Sequence, residues 1–216
     1  MNESRGKFIT LEGTEGAGKS TNLTFICEWL DAQGIAYVVT REPGGTDIGE
    51  KIRSVLLDSD NAGLVPMAEL LLIFAARAQH LAEKICPALE TGVWVVSDRF
   101  TDATYAYQGV ARGLGDEVVG KLETLVQGDL RPDKTIVLDV PVDVGIERMI
   151  ARGKLDRFEV EKSDFFERVR STYLHRASLS PERYAVVDAS KSLGEVTESV
   201  QSCLLYTSPS PRDKTV

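Results

Sequence analysis

The sequence predicts a doubly wound α/β fold, in which helices cover both faces of a parallel sheet. Two observations carry this prediction. Short, β-branched segments alternate with longer segments of helical periodicity, and the short segments are apolar along nearly their whole length. A strand that is covered on both faces needs such continuous hydrophobicity, whereas a strand with one solvent face alternates. In folds of this kind, ligand groups gather at the carboxyl ends of the strands.

Five short segments are predicted as strands and five longer segments as crossover helices. The predicted strands are 7–11, 36–40, 93–97, 135–140 and 184–187. The predicted helices are 18–33, 66–90, 116–127, 142–151 and 163–177. This β-α-β alternation favours a parallel sheet, because parallel neighbours need a crossover connection that returns the chain to the same end of the sheet.

Length and composition are those of a globular protein of one domain. The chain has 216 residues, of which 43% are hydrophobic and 27% charged. That balance excludes collagen-like, fully disordered and disulfide-framework chains. With 25 Lys and Arg against 33 Asp and Glu, the formal charge is −8. We therefore expect no nucleic-acid partner and no membrane-surface role, since both favour net positive charge.

Cysteine usage and the absence of targeting signals predict a cytoplasmic location. Cys27, Cys86 and Cys203 are far apart and form no C-x-x-C pair, which favours reduced thiols. Residues 1–7 are polar and lack the apolar core of a signal peptide. The most apolar stretch, 64–78, contains charged residues, so no segment supplies the ~20 apolar residues of a membrane helix.

The end of the chain is expected to lie outside the functional domain. Residues 203–213 read CLLYTSPSPRD, which resembles the translation of a sequencing-library adapter. We therefore expect a single domain over 1–202 and a non-native tail over 203–216. The alternative is a natural Pro- and Ser-rich tail after a terminal helix, which would also be disordered.

A glycine-rich loop after the first predicted strand is the strongest chemical signal. Residues 13–20 read GTEGAGKS and satisfy G-x-x-x-x-G-K-[ST]. In this pattern backbone N–H groups converge on phosphate oxygens, Lys19 reaches the β- and γ-phosphates, and the Ser20 hydroxyl faces Mg²⁺. The helix opening at Gly18 adds its positive dipole end. The predicted nucleotide-binding residues are Gly13, Thr14, Glu15, Gly16, Ala17, Gly18, Lys19, Ser20 and Thr21.

This loop predicts binding of a nucleoside triphosphate without separating kinases, GTPases and motor ATPases. The chain has no N-K-x-D motif, so guanine recognition of the usual GTPase kind is absent. An ordinary glycine-rich turn is the alternative. The apolar strand before the loop and the helical pattern after it favour the phosphate site.

An Asp-Arg pair directly follows the third predicted strand. Asp98 and Arg99 come after the apolar segment 93–97, at the sheet edge where the phosphate loop is expected. Asp98 is placed to hold Mg²⁺ through water, and Arg99 can bridge the phosphates of two substrates. A surface pair that caps the next helix is the alternative.

A charged residue interrupts the apolar face of the predicted helix 66–90. Arg77 falls inside this stripe, and an arginine on a core-facing surface is costly unless it is paired. In a site, Phe74 could stack on a base while Arg77 donates to a base carbonyl. In a core, Arg77 would pair with a buried acid and Phe74 would only pack. The stripe consists of Met67, Leu70, Phe74, Ala78, Leu81 and Ile85.

Basic residues cluster after the fourth predicted strand. Gly153 breaks the helical pattern there, so we expect a mobile lid over about 148–160. Such a lid would close over ATP, neutralise the charge on the transferring phosphoryl group and exclude water. A solvated charged face is the alternative. The basic residues are Arg148, Arg152, Lys154 and Arg157.

Five motifs, taken in order over residues 7–190, point to one enzyme family. They read FITLEGTEGAGKST, TREPGGT, FAARAQH, SDRFTDATYAYQG and ARGKLDRFE. Together they closely resemble the motifs of bacterial thymidylate kinases. The resemblance implies a P-loop nucleoside monophosphate kinase fold, with a five-stranded parallel sheet flanked by helices and a mobile lid. It also implies transfer of the γ-phosphoryl group of ATP to dTMP, giving dTDP, with Mg²⁺ and in a homodimer.

The resemblance also implies which residues bind the acceptor nucleotide. Glu15 matches the carboxylate that accepts a hydrogen bond from the 3′-hydroxyl of dTMP. Arg41 and Pro43 lie in the loop that closes on this nucleotide. Phe74 matches the aromatic residue that stacks on thymine, and Arg77 matches the arginine that reads its O4 atom.

The remaining roles are carried over in the same way. Asp98 is expected near Mg²⁺, and Arg99 on the acceptor phosphate. Thr104 and Gln108 match positions that hydrogen-bond the pyrimidine edge. Tyr107 matches the aromatic residue under the sugar, where it would obstruct a 2′-hydroxyl.

The source of the catalytic arginine is also predicted. The phosphate loop carries Glu15 and Gly16 where some relatives have Asp-Arg, so it has no arginine of its own. This arrangement resembles the bacterial subtype in which the lid supplies the arginine, and Arg152 matches that position. The predicted catalytic residues are Lys19, Arg99 and Arg152.

Two other functions stay open on the residues alone. The first is a kinase for another small acceptor, such as dUMP, a deoxynucleoside or shikimate. The second is a nucleotide-dependent switch that binds ATP and transfers no phosphate to dTMP.

Overall fold

A parallel sheet of five strands forms the centre of the fold. The computed structural model describes residues 5–153 and 156–205, so Lys154 of the predicted lid and residues 206–216 of the predicted tail lie outside it. Within that part of the chain the strand order is β2-β3-β1-β4-β5. The strands are β1 Phe8–Glu12, β2 Tyr37–Arg41, β3 Trp94–Asp98, β4 Lys134–Asp139 and β5 Tyr184–Asp188.

Helices cover both faces of this sheet, as the continuous hydrophobicity of the strands predicts. They are α1 Lys19–Ala32, α2 Asp47–Leu57, α3 Pro66–His80, α4 Cys86–Glu90, α5 Thr101–Thr104, α6 Asp116–Gln127, α7 Val142–Arg152, α8 Ser163–Leu179 and α9 Leu193–Leu205. Helices α1 and α9 pack together on one face, and α4 and α8 lie against the other.

Successive residues of each strand feed the two halves of the core. In β1, Ile9 and Leu11 pack with α1 and α9, whereas Phe8 packs on the opposite face beneath α4. All three side chains are fully buried. Each buried aliphatic side chain of this size stabilises the fold by about 1.5–3 kcal/mol relative to its exposed state.

The strand register brings the carboxyl ends of three strands together. Leu11 of β1 and Arg41 of β2 both pair with Asp98 of β3. Glu12 of β1 pairs with Val137 of β4. The polar residues that end these strands therefore share the edge at which the phosphate loop leaves β1.

The predicted architecture is confirmed, and its boundaries differ in a few places. Strands shift by one residue or less, mainly because β1 and β3 continue into the polar residues Glu12 and Asp98. The predicted helix 66–90 divides at a π-helical turn over Leu81–Ile85. Pro87 then lies in the first turn of α4, where its missing N–H is tolerated.

Three α-helices of the described chain were not predicted from periodicity. They are α2, the short α5 with the π-helical turn Tyr105–Ala111 that continues it, and α9. Helix α9 extends to Leu205, and Leu204 is fully buried in the core between α1 and the sheet. The predicted domain boundary at residue 202 therefore falls inside a helix.

A left-handed turn follows β3. Arg99 has φ 68°, a conformation that costs a non-glycine residue about 1–3 kcal/mol. The turn is held on three sides. The Arg99 N–H donates to the Leu11 carbonyl at 3.0 Å, the Ser97 hydroxyl donates to the Arg99 carbonyl at 2.7 Å, and the Phe100 N–H donates to Glu12 Oε1 at 2.7 Å.

Glu12 is the buried acid in this arrangement. Its side chain is fully buried, and Tyr173 of α8 donates its hydroxyl to Oε2 at 2.8 Å. Burial and the nearby Asp102 raise the pKa of Glu12 from 4.5 to about 8, and Arg99 and the two hydrogen bonds only partly offset them. Burial of the ionised carboxylate therefore opposes folding.

This burial predicts a pH dependence of stability. The folded carboxyl holds its proton more tightly than the unfolded one, so its contribution is fully present below about pH 4.5 and is lost as the pH rises through about 8. We expect Glu12→Gln to reduce the loss of unfolding free energy between pH 5 and pH 8 by about 1 kcal/mol or more. Urea denaturation of both proteins at pH 5 and pH 8 measures these unfolding free energies.

The matched control for this experiment is Glu117→Gln, since Glu117 is an exposed acid on α6. It should keep the wild-type difference between the two pH values. A Glu12→Gln protein with that same difference would show that Glu12 titrates normally.

Candidate active site

The glycines of the phosphate loop are required by neighbouring backbone as well as by phosphate. Gly13 and Gly16 have positive φ values of 142° and 71°. A Cβ at Gly16 would lie 2.1 Å from the Gly145 carbonyl oxygen, and one at Gly13 would lie 2.5 Å from the Leu138 carbonyl oxygen. The loop is therefore pressed against α7 and β4, which fixes its position at the sheet edge.

Lys19 lies inside the loop. Its ammonium donates to the carbonyl oxygens of Gly13 at 3.1 Å and Thr14 at 2.9 Å, and it lies 4.0 Å from Glu15 Oε2. Burial and the positive charge of Arg99 lower the pKa of Lys19. The side chain is thus a partly desolvated cation at the first turn of α1, where a phosphate also meets the helix dipole.

Glu15 and Arg99 form the central ion pair of the site. Arg99 Nη2 donates to Glu15 Oε1 at 2.5 Å, and the Tyr107 hydroxyl donates to the same oxygen at 3.1 Å. Burial would raise the pKa of Glu15, but the charges of Arg99 and Lys19 outweigh it and lower the pKa to about 2. Glu15 is therefore an acceptor at neutral pH and a poor proton carrier.

Asp98 carries an unused acceptor. Its Oδ1 atom is buried and has no hydrogen-bond partner among the described residues. Ser20 lines the same cavity. A magnesium ion takes one or two carboxylate or hydroxyl oxygens from protein and the rest from water and phosphates. The two side chains fit that requirement, and no cluster of three or more metal-ligating side chains occurs in the described part of the chain.

A cavity of about 570 Å³ joins the phosphate loop to the ends of β2 and β3. Most residues predicted for the site face it. The predicted residues that line it are Glu15, Gly16, Ala17, Gly18, Lys19, Ser20, Thr21, Arg41, Pro43, Arg77, Asp98, Arg99, Thr104, Tyr107, Gln108, Arg148 and Arg152.

Arg77 lines the same cavity and is held in place by two neighbouring side chains. It is almost fully buried, and its Nε atom donates to Glu42 Oε2 at 2.7 Å while Nη2 donates to Thr104 Oγ1 at 2.9 Å. Its Nη1 atom has no partner among the described residues. Glu42 is thus the buried acid that the alternative interpretation of Arg77 predicted. The ion pair leaves the Nη1 donor of Arg77 for a ligand.

Glu42 is in turn fixed by a histidine. Its Oε1 atom lies 3.0 Å from His80 Nδ1, and His80 Nε2 lies 2.6 Å from Thr40 Oγ1. All these side chains are buried. Removing one member of a buried ion pair costs about 3–5 kcal/mol, because the other charge is left uncompensated. This chain of contacts therefore fixes the direction of Arg77.

Phe74 does not line the cavity, so its stacking on thymine stays a prediction. Its ring packs against Leu70 and Tyr105, and the Arg77 guanidinium lies 4.7 Å from its centroid. The preceding residue, Ile73, faces the cavity together with Phe100. The Phe74 ring therefore packs against the Arg77 guanidinium and helps to hold it in place.

The apolar stripe of this helix also differs from its prediction. Met67 and Ala78 are exposed, and the buried face of α3 includes Glu69, Ile73 and His80. Helix α3 is covered on more than one side, by α2 and α6, so its buried residues extend beyond one line of helical spacing.

Arg41 and Arg53 also line the cavity. Arg41 is half-exposed and donates to Glu50 Oε2 at 2.8 Å. Arg53 donates to the Pro43 carbonyl at 2.8 Å. Sequence reasoning missed Arg53 because it missed α2. The sequence feature that could have indicated α2 is its N-cap residue, Thr46. The Thr46 hydroxyl accepts a hydrogen bond from the Gly49 N–H at 3.1 Å.

The predicted lid arginines divide into two groups. Arg148 and Arg152 face the cavity, and Arg152 is mostly exposed and paired with Glu159. Arg157 is buried, donates to the Leu56 carbonyl at 2.7 Å and to Glu69 Oε2 at 2.6 Å, and does not line the cavity, so its role in a lid stays a prediction. A partner across the fold, rather than solvent or nucleotide, satisfies its charge.

The first two loop residues are also set back from the cavity. Gly13 and Thr14 do not line it, and their carbonyl oxygens hold Lys19 instead. Thr14 Oγ1 is buried and unpartnered in the described structure. Gly13 and Thr14 therefore stabilise the conformation of the loop and do not face the cavity.

Comparison with known proteins agrees with this geometry. The family model for thymidylate kinase matches residues 11–200. The chain is 58% identical over 199 residues to a thymidylate kinase of Pseudomonas syringae pv. tomato and 56% identical to one of Pseudomonas fluorescens, in each case covering 92% of this chain and 95% of the relative.

A solved structure gives the same result. The crystal structure of thymidylate kinase from Ehrlichia chaffeensis superposes with a TM-score of 0.75 at 32% identity, over 93% of this chain and 98% of that one. Sequence and structure therefore agree over nearly the whole length of the relatives, and the chain belongs to the thymidylate kinase family.

Proposed function

We propose that this protein transfers the γ-phosphoryl group of ATP to dTMP, giving dTDP and ADP. The observation that carries the proposal is the continuity of one cavity, from the phosphate loop to the unpartnered Nη1 donor of Arg77. A phosphate donor and a base-bearing acceptor can meet there end to end. Membership in the thymidylate kinase family supports dTMP as the acceptor over the other small molecules considered.

ATP is proposed to occupy the loop end of the cavity. Backbone N–H groups of residues 15–21 and the Lys19 ammonium would bind its phosphates. Asp98 Oδ1 and the Ser20 hydroxyl are proposed as the protein ligands of Mg²⁺. When bound, that ion would neutralise charge on the β- and γ-phosphates.

The acceptor is proposed to lie between the loop and α3. Its phosphate would meet Arg53 and Arg99, its sugar would lie on Tyr107, and its 3′-hydroxyl would donate to Glu15. The low pKa of Glu15 keeps this carboxylate ionised and accepting. The base would receive hydrogen bonds from Arg77 at the buried end.

Catalysis in this proposal is positioning and charge neutralisation. The attacking oxygen belongs to a phosphate that is already anionic, so no strong base is required. Lys19, Arg99 and Arg152 would stabilise the charge that develops on the transferred phosphoryl group. Arg152 follows the bacterial arrangement in which the lid supplies the arginine, and its exposed position beside the cavity leaves it room to turn inward.

We also propose that the protein is a homodimer formed through α2 and α3. These two helices pack together, and exposed apolar side chains lie on both of them and on the residue before α3. Several exposed apolar side chains on two helices that pack together favour a protein–protein interface there. The side chains are Ile48, Val55, Val65, Met67 and Leu71.

A cytoplasmic location is proposed on two of the cysteines. Cys27 and Cys86 form no disulfide in the described structure, which fits a reducing compartment. Among the described residues, none of the helices has the length and apolar character needed to cross a membrane.

A panel of acceptors tests the proposed reaction. With ATP and Mg²⁺, we expect ADP release to be fastest with dTMP, slower with dCMP, and slow with UMP because Tyr107 obstructs a 2′-hydroxyl. A coupled assay of ADP release measures all three. Turnover of dTMP no faster than that of dCMP or UMP would contradict the proposal, as would ATP hydrolysis that dTMP does not change.

The lid assignment predicts a split between kinetic constants. Arg152→Ala should lower kcat on the order of 10³-fold, by analogy with the loss of other phosphoryl-transfer arginines, and should change the KM for dTMP far less. Steady-state kinetics measure both. The matched control is Arg168→Ala, the loss of an exposed arginine on α8. If the two variants have equal kcat values, Arg152 is not the catalytic arginine.

The proposed dimer predicts a change in mass. Leu71→Glu places a charge on the apolar surface of α2 and α3, and we expect it to convert the dimer to monomer in sedimentation equilibrium. Leu193→Glu, at an exposed apolar position on α9, is the control and should stay dimeric. A wild-type chain that sediments as a monomer would rule out the interface.

A further inference from the structure

A fully buried carboxylate lies beside the base end of the cavity and has no place in the reaction proposed above. Glu69 of α3 is completely inaccessible to solvent. Its Oε1 atom accepts from Gln108 Nε2 at 2.7 Å and from Arg112 Nε at 3.4 Å, and its Oε2 atom accepts from Arg157 Nη2 at 2.6 Å. Burying a carboxylate is costly, so this set of partners is a specific arrangement.

The contact with Glu69 decides which end of the Gln108 amide faces the cavity. An ionised carboxylate is only an acceptor, so the NH₂ group of Gln108 must face it. The carbonyl oxygen of the same amide has no hydrogen bond within the described residues, and Gln108 lines the cavity. Gln108 therefore offers the cavity an acceptor.

Together with Arg77, this acceptor makes an ordered pair. Arg77 Nη1 is a donor without a partner among the described residues, and it is aimed by Glu42. A pyrimidine with an imide edge carries a carbonyl acceptor beside an N3–H donor, as in thymine and uracil. Cytosine reverses this order, with an amino donor beside an N3 acceptor. With Arg77 at the exocyclic group of the 4-position, as the resemblance to the family implies, and the Gln108 oxygen at N3, this pair complements the imide and not cytosine.

We propose that Glu69 is a positioning residue that fixes the polarity of Gln108 and thereby makes the site prefer imide-bearing pyrimidines over cytosine. This inference rests on the proposed function. Arg157 belongs to the segment predicted as a lid, and its bond to Glu69 neutralises the carboxylate and holds it in place. The same arginine also ties that segment to the last turn of α2 through the Leu56 carbonyl.

The direct test is Glu69→Gln, which keeps the shape of the side chain. A glutamine at position 69 can donate as well as accept, so Gln108 no longer has to turn its NH₂ group toward it. The Gln108 amide can then turn either end toward the base. We expect the ratio of kcat/KM for dTMP to that for dCMP to fall by about tenfold or more. The ratio for dTMP to dUMP should not change, because both bases have an imide edge.

A rescue variant separates polarity from packing. In Glu69→Gln/Gln108→Glu the donor and acceptor exchange places, and the residue at 108 is again an acceptor toward the cavity. We expect the preference for dTMP over dCMP to return. This double variant also tests the inference if Glu69→Gln alone does not fold, since it keeps the charge of the pair. A folded double variant without that preference would overturn the inference.

The control is Glu161→Gln, which removes the other carboxylate bound to Arg112, at 2.5 Å. It should keep the wild-type ratio. If Glu69→Gln lowers activity toward dTMP and dCMP equally, Glu69 is only structural and the inference is wrong. If the wild-type protein does not phosphorylate dTMP, the proposed function fails instead, so the two failures are distinguishable.

Discussion

The pairing of Leu11 and Arg41 with Asp98 is the constraint on which the site depends. It sets three parallel strands in one register, so that the phosphate loop, Arg41 and the Asp-Arg turn leave the sheet at the same edge. The left-handed conformation of Arg99 then directs its guanidinium back toward Glu15. A shift of one residue in β3 would turn Asp98 to the opposite face of the sheet and separate these groups.

Charged side chains in the site are fixed by partners that leave one atom unused. Glu42 and Thr104 take two of the nitrogens of Arg77 and leave Nη1, and Asp98 keeps a buried oxygen without a partner in the described structure. Buried polar atoms are ordinarily satisfied, so unpartnered atoms at a cavity wall point to a ligand that completes them. The same contacts that satisfy the rest of each group restrict its rotation, which is the pre-organisation that an electrostatic catalyst requires.

The sequence predicted the sheet, the phosphate loop and most of the residues at the cavity, since these depend on local patterns. Loop spacing, strand hydrophobicity and the Asp-Arg pair are all readable within a few residues. That Ile73 rather than Phe74 lines the cavity could not be predicted, because neighbouring residues on a helix point about 100° apart and periodicity does not fix the rotation of α3 that closely. The burial of Arg157 could not be predicted because its partner, Glu69, is 88 residues away. Arg53 was missed with α2. In each case the position of the side chain depends on contacts between elements that are distant in the sequence.

In the proposed reaction two nucleotides meet end to end in one cavity. The most direct measurement is calorimetric binding of a compound in which adenosine and thymidine are joined through a chain of phosphates. We predict that one molecule binds per chain and excludes both a non-hydrolysable ATP analogue and dTMP. Binding that displaces only one of the two nucleotides, or two molecules bound per chain, would show that the loop and the Arg77 pocket are separate sites.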